Sequence, residues 1–321
     1  MQDPKNKRIF ITGGAGFIGS SLVGRLVEHN QITIYDNFAR DSISDKSYRE
    51  HPNLTIINGD ILDEEKLNQA IEGAEIVVHC AAIAGIDTVI LKPVKTMRVN
   101  LIGSANLLEA ASKLENCERV VIFSTSEVFG SMAFNSSESD KTSIGEAGEA
   151  RWTYAVSKLA EEHIAFAYLS ERGLPVTVLR PFNVYGPGQV GEGALRIFIE
   201  RALKNQDIDV HGDGTQIRAW CFVDDMVEGV VRAITHKKAV GESFNIGNSR
   251  AVTTIYGLAN TVIRVLDSES KVKFTRKDYA DVELRIPSVS KARELLDFEA
   301  TVDLEEGIKR TADYYRQSGT L

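Results

Sequence analysis

The chain has 321 residues, 43% hydrophobic and 26% charged, with 37 Lys and Arg against 45 Asp and Glu and a formal net charge of -8. That length buries a large core without metals or disulfides and suggests two domains, while the acidic balance argues against a general nucleic-acid binder, which needs a basic face. No run of about 18 apolar residues is present to cross a membrane as a helix.

The elements in chain order alternate short β-rich runs with amphipathic stretches. Arg8–Thr12 is an apolar, β-branched strand that stops at glycine, and the stretch from Met1 to Arg8 before it carries no apolar leader. Phe17 to His29 has helical spacing, with Ile18, Leu22 and Leu26 on one face. Strands follow at Ile32–Tyr35, Leu54–Ile57, Ile76–His79, Val120–Phe123 and Val176–Leu179, with helices near 64–72, 99–114 and 152–172. Continuous apolar strands are buried on both faces. With helices between them they predict a doubly wound parallel sheet, an α/β fold of the Rossmann type. Beyond Arg180-Pro181 the rhythm loosens into a turn cluster at Tyr185–Gly188, a helix over Gly191–Lys204 and a short strand at Asp207–His211. Helices are predicted at 225–236, 254–267 and 303–316. The reading is a dinucleotide-binding domain over 1–180 and a smaller α/β substrate lobe over 181–321, with the chain crossing back at Cys221–Val223 and Phe244–Ile246. Asn135–Glu149 is polar and reads as a mobile surface loop. Cys80, Cys117 and Cys221 lie far apart, which suits a reducing, cytoplasmic setting and gives no zinc site; no metal is expected.

The strongest motif is Thr12-Gly13-Gly14-Ala15-Gly16-Phe17-Ile18-Gly19, which closes the first strand and opens the first helix. Glycines there allow a tight turn, close approach of a pyrophosphate and helix–sheet contact, and the phosphates meet open N–H groups at the helix N-terminus. Asp36 ends the second strand. Its carboxylate can accept an adenosine ribose diol and would repel a 2′-phosphate, favouring NAD over NADP, or it can cap a turn; Arg40 nearby weakens the preference. Asp60 can meet the adenine edge or serve its own turn. Ala81 and Ala82 are small enough for a cofactor to approach, or for plain strand–helix packing.

Tyr154 and Lys158 are spaced i, i+4 on one helix face. A nearby ammonium favours tyrosinate, which can take a proton from a sugar hydroxyl. Ser124, Thr125, Ser126 and Glu127 lie at the carboxyl end of the fifth strand, where ligands of open α/β sheets bind. Thr125 can share a hydrogen bond with the reacting hydroxyl and Glu127 is a second candidate base, although turn or cap roles also account for the Ser and Thr residues.

Together these residues resemble the extended short-chain dehydrogenase/reductases that modify nucleotide sugars, the NAD-dependent epimerases, dehydratases and decarboxylases. The resemblance runs through His79–Ala82, Val99-Asn100, Ser124–Gly130, Arg180–Pro187, Gly212–Gly214, Arg218 and Phe244–Gly247. It implies Tyr154 as catalytic base and Lys158 as the residue that orients the ribose. The expected NAD contacts are Gly13, Gly16, Phe17, Ile18, Gly19, Asp36, Asn37, Arg40, Asp60, Ile61, Ala81, Ala82, Asn100 and Ser124, with Tyr154 and Lys158. Ser126 and Asn183 are expected at the sugar or its diphosphate. Arg218 and Arg285 occupy positions that usually hold the diphosphate, and the segment Arg285-Ile286-Pro287-Ser288 also resembles one whose Arg acts near C5 in decarboxylases. Thr125-Ser126-Glu127 resembles both UDP-glucuronate decarboxylases and GDP-mannose 4,6-dehydratases, and Arg151-Trp152-Thr153-Tyr154 resembles UDP-glucuronate-type decarboxylases, so decarboxylation of a UDP-hexuronate leads, with 4,6-dehydration next and 4-epimerisation third. Phe129 departs from the commoner Tyr, and the 131–150 loop matches none of these groups well. A non-catalytic NAD-binding module is the reading from outside the class. The same family implies a homodimer through helices near 99–114 and 152–172, whose apolar faces could equally be intramolecular core.

Overall fold

The computed structural model of the chain describes residues 3–276 and 282–318. Met1, Gln2 and residues 319–321, the outer ends of the two expected domains, lie outside them. In chain order the elements are β1 (Arg8–Thr12), α1 (Phe17–Leu26), β2 (Gln31–Asp36), β3 (Leu54–Asn58), α2 (Glu64–Ala70), β4 (Ile76–His79), α3 (Ile86–Leu91), α4 (Pro93–Met97) and α5 (Gly103–Ala111). Next come β5 (Arg119–Phe123), β6 (Met132–Ser136), α6 (Thr153–Arg172), β7 (Val176–Pro181), β8 (Val184–Tyr185), α7 (Ala194–Leu203), β9 (Ile208–His211), β10 (Ile217–Ala219) and β11 (Cys221–Phe222). The chain ends with α8 (Val223–Thr235), β12 (Ser243–Ile246), β13 (Val252–Thr254), α9 (Ile255–Val265), β14 (Val272–Thr275), β15 (Leu284–Pro287), α10 (Ser290–Leu296) and α11 (Leu304–Ser318).

Seven strands form one sheet in the order β12-β7-β5-β4-β1-β2-β3, every pairing parallel. Its inner strands are the continuous apolar runs of the sequence; every residue of β4 and β5 is buried. Parallel pairing requires a crossover between neighbours, and the helices that supply it cover both faces. One face packs α1 and α8 with Leu22, Val23, Val230 and Ile234, and the other packs α2, α5 and α6 with Leu67, Leu107, Leu108 and Ala165. The strand order reverses at β1, which has β2 on one side and β4 on the other. The carboxyl ends of β1 and β4 therefore open a crevice, the position where such sheets bind ligands.

A second, four-stranded sheet in the order β13-β10-β15-β6 stands at the cleft. Two short parallel pairs, β8 with β11 and β9 with β14, complete the pairings among the described residues. Phe244–Ile246 joins the large sheet beside β7, whereas Cys221–Phe222 pairs with β8 and Val223 already opens α8. The crossing back at Cys221–Val223 is therefore a short separate ladder followed by a helix. Met132–Ser136 is strand rather than loop, because β15 supplies a parallel partner 150 residues downstream that no local pattern announces. Glu138 beyond it accepts from the Asn245 N–H at 2.7 Å, tying this segment to β12.

Buried Arg119 joins the layers. It starts β5 and donates to the Ala233 and His236 carbonyls at the end of α8, where the helix leaves acceptors open.

Candidate active site

The glycine turn closes the crevice floor. Gly13 has φ +67, and a Cβ there would stand 2.5 Å from the Ala81 nitrogen in the loop after β4. Gly19 is as constrained, its Cβ falling 2.4 Å from the Gly13 oxygen. Only glycine permits this approach. Gly16 is the N-cap of α1 and carries no side-chain cap, so the first-turn N–H groups around Phe17 and Ile18 face the crevice as an anion site. Asp36 is buried and caps the turn, the second of the roles its sequence position allowed. Oδ2 accepts from Ala15 N at 3.0 Å and Oδ1 from Phe38 N at 2.8 Å, which fixes the turn and leaves each oxygen a lone pair for a ribose. Burial pushes its pKa up, against the pull of those N–H donors. The cradle at Gly13 and Gly19, the uncapped helix and this carboxylate fit a dinucleotide.

The remaining cofactor candidates are spread along the same edge. Asn37 accepts from Ala39 N at 3.1 Å and Asp60 from Leu62 N at 3.0 Å, so both serve their own turns. Ile61 is a core residue against Gly103, and Ala82 is exposed on the crevice. Arg40 does not turn toward Asp36. Its Nη2 donates to the Ala84 carbonyl at 2.7 Å, and its guanidinium lies against Gly191 across the cleft mouth. Asn100 sits in a π-helical turn, Arg98–Ile102, between α4 and α5. That turn aims its side chain at Ile83 (Oδ1 to the N–H, 2.8 Å; Nδ2 to the carbonyl, 3.0 Å) and at Ser157 (Nδ2 to Oγ, 3.0 Å). It thus ties the crevice loop to α6 just behind Tyr154.

Tyr154 and Lys158 share a face of α6, as the spacing requires, and the Thr125 hydroxyl is near enough to pull the phenol's pKa down. The expected effect of Lys158 on Tyr154 is not what the structure shows. The phenol is pushed up, first by desolvation and then by the charges of Glu127 and Glu161, more than the Thr125 bond lowers it. The Lys158 ammonium is itself bound to Glu161 at 2.7 Å, with both side chains buried. Ser124 is equally committed: its hydroxyl donates to Glu162, which also takes Arg180 Nε at 2.9 Å and Nη2 at 2.7 Å. Neither glutamate stood out in the sequence, although Glu161 and Glu162 follow Lys158 at helical spacing. The core beneath adds His79, bonded through Nδ1 to Thr12 Oγ1 at 2.6 Å and through Nε2 to Ser104 Oγ at 2.8 Å.

On the other wall, Thr125 caps the 3-10 turn Ser126–Phe129 by accepting from Glu127 N at 3.2 Å. That turn presents Glu127 to two buried guanidinium groups. Arg151 donates to Glu127 at 2.7 and 3.4 Å, and Arg285 Nη1 stands 3.7 Å from its Oε1. Arg151 was part of the Arg-Trp-x-Tyr pattern but not a candidate; its position immediately before α6 brings it here. Ser126 is buried in the same turn. Arg218 and Arg285 are in register on adjacent strands β10 and β15, so their side chains leave the sheet on one face. Arg218 donates to the Ile217 and Val282 carbonyls. Asn183, at φ +36, donates to the Ala219 carbonyl at 2.9 Å and so fixes β10 beside the turn after β7.

The sequence comparisons match this geometry. A model of the NAD dependent epimerase/dehydratase family covers residues 9–247. The chain belongs to that family. Its fold is that of the extended short-chain dehydrogenase/reductases, and its dinucleotide is NAD. It is 36% identical to a UDP-N-acetyl-alpha-D-glucosaminuronate decarboxylase of Bacillus cytotoxicus, over 97% of this chain and 98% of the relative. It is 32% identical to UDP-glucuronic acid decarboxylase 6 of Arabidopsis thaliana, over 97% of this chain and 89% of that one. Among solved structures, UDP-glucuronic acid 4-epimerase from Bacillus cereus, in complex with UDP-glucuronic acid and NAD, superposes with a TM-score of 0.89 at 28% identity, covering 97% of this chain and 99% of that one.

Proposed function

We propose that this chain is an NAD-dependent nucleotide-sugar lyase that removes the C6 carboxylate of a UDP-hexuronate of the UDP-glucuronate type. The observation that carries this reading is the convergence of Arg151 and Arg285 on Glu127, beside the Thr125–Tyr154 pair. Two buried guanidinium groups beside Glu127 place charged, fork-shaped donors at the reacting end. Such donors suit a sugar carboxylate better than a C6 hydroxyl. The relatives named above, both decarboxylases of UDP-hexuronates, support the same choice.

Bound NAD supplies a hydride acceptor beside the sugar C4. Tyr154 would take the proton of the C4 hydroxyl as a phenolate, a form that the positive charge of bound oxidised NAD would favour over the neutral phenol of the cofactor-free protein, and Thr125 is placed to share the hydrogen bond that aligns the hydroxyl. Lys158 orients the ribose from the same helix face. Once C4 is a ketone, the C5 carboxylate is that of a β-keto acid. Its C–C electrons enter the carbonyl as CO2 departs and C5 takes a proton; the hydride removed from C4 would then return to the ketone while Tyr154 gives back its proton, which leaves a UDP-pentose and oxidised NAD. Arg285 and Arg151 hold the carboxylate for that loss, with Glu127 fixing both. Arg218 and Asn183 serve the diphosphate end, where an acidic protein must concentrate cations to hold two phosphates.

Elimination of water across C5–C6 would need a base at C5 and an acid at the leaving C6 hydroxyl, and Ser126, next to Glu127 in the same turn, is not an acid. Incubation with NAD and a panel of UDP-hexuronates and UDP-hexoses, followed by mass spectrometry, tests the reading. Loss of one CO2 supports it. Loss of water, or an isomer of unchanged mass, assigns the chain to a dehydratase or an epimerase.

The same reading includes a homodimer. Leu91, Val94, Ile102 and Val156 leave apolar surface exposed on α3, α4, the π-helical turn and α6, four neighbouring pieces that a second copy would cover. Sedimentation equilibrium returning a monomer would remove that part. The three free cysteines, with Cys221 buried, suit a cytoplasmic, reducing setting.

A further inference from the structure

We propose that Glu161 determines which oxidation state of the dinucleotide the protein prefers, by cancelling the charge of Lys158 beneath the crevice so that the floor accepts the positively charged, oxidised nicotinamide. The inference rests on NAD as the cofactor and not on the sugar chemistry.

The floor of the crevice contains six titratable groups that could set its charge. Lys158 and Glu161 are held together at 2.7 Å, one turn from Tyr154, with 1% and 0% exposure. His79 on β4 faces Glu161, its Nε2 3.7 Å from Oε1. Burial and the Lys158 charge hold its pKa well below the usual value, and hydrogen bonds to Thr12 and Ser104 engage both ring nitrogens of the neutral ring. Cys80, at the end of β4, is pushed up to about 12 by burial and is a neutral thiol. Tyr154 is a neutral phenol for the reason given above. Glu162, the next residue on α6, is consumed by its two bonds from Arg180. The net charge here is therefore the sum of Lys158 and Glu161 alone. The sequence motif contributes the cation but says nothing of its counter-charge. A lone ammonium in this dry floor would repel a cationic ring, and Glu161 removes that repulsion. Its field reaches the reacting end, since its charge is among those that push the Tyr154 phenol up.

Glu161 also carries a built-in control. Burial pushes its pKa up to about 7, against the pull of Lys158. The carboxylate is charged above that pH and is lost as the pH falls through it. The preference for the oxidised form should fade over the same interval.

The test is binding, not turnover. Cofactor-free wild-type protein and the Glu161→Gln variant are titrated at pH 8.5 with the oxidised and the reduced dinucleotide. The ratio of dissociation constants, oxidised over reduced, should rise about tenfold in the variant. A merely structural role weakens both forms alike and leaves the ratio in place. Glu161→Asp should keep the wild-type ratio. In the wild type alone, the ratio should rise as the pH is lowered from 8.5 to 6, and in Glu161→Gln it should stay flat. If Glu161→Gln does not fold, the wild-type pH series decides. A variant ratio within twofold of wild type at pH 8.5, or a wild-type ratio that ignores pH, overturns the proposal.

Discussion

The two ends of the cleft are built by different means. The dinucleotide end is made of backbone: Gly13 at φ +67, Gly19 packed onto the Gly13 carbonyl, and a carboxylate on the neighbouring strand that fastens the turn. The end proposed for the sugar is made of charge, with Glu127 after β5, Arg151 before α6 and Arg285 on β15 meeting from three separate stretches of chain, and Arg218 beside Arg285 on β10. A backbone site fails when an atom is added, and a charge site fails when one is removed. Substitutions at one end should therefore leave the other intact.

The largest effect falls where the ends meet. Tyr154→Phe removes the proton acceptor and should lower kcat by about a thousandfold or more, while calorimetry finds NAD binding unchanged. Gly13→Ala places a Cβ against Ala81 in a left-handed conformation and should cost roughly 2–3 kcal/mol of stability and most NAD binding, read by thermal melts and titration. On the other side, Arg285→Ala should lower kcat/KM for a UDP-hexuronate by about a hundredfold, with the dissociation constant for NAD held within twofold. Equal losses at both ends in either variant would erase the contrast between them. The smallest effect is spectroscopic. Because the Tyr154 phenol is pushed up, the ultraviolet titrations of cofactor-free wild type and Tyr154→Phe should coincide below pH 10. A difference step near neutral pH would show that Lys158, and not Glu161 and desolvation, governs the phenol.

The same contrast explains what could be read from the sequence. The glycine turn, Asp36 and the Tyr154/Lys158 spacing are local patterns, and so are the continuous apolar strands that predict a parallel sheet. Each is decided by residues within a turn or a strand of one another. β6 was hidden because its partner β15 lies far downstream and its own composition is polar at one end. Cys221–Phe222 has the composition of a buried strand, but composition does not choose between the large sheet and a two-stranded ladder. Arg151 and Glu161 were hidden for a further reason. Their roles depend on a partner's charge across a helix turn or a loop, and the motif that includes Lys158 says nothing of Glu161. The π-helical turn at Arg98–Ile102, which aims Asn100, has no periodic signature distinct from an ordinary helix.

One measurement addresses the central claim directly. UDP-glucuronate isotope-labelled at C6 is incubated with the purified protein and NAD, and the label is followed. The account predicts that it appears as labelled CO2 in step with an unlabelled UDP-pentose, and that Arg285→Ala slows its release. Label retained in the nucleotide sugar, as when C4 alone is inverted, would contradict it.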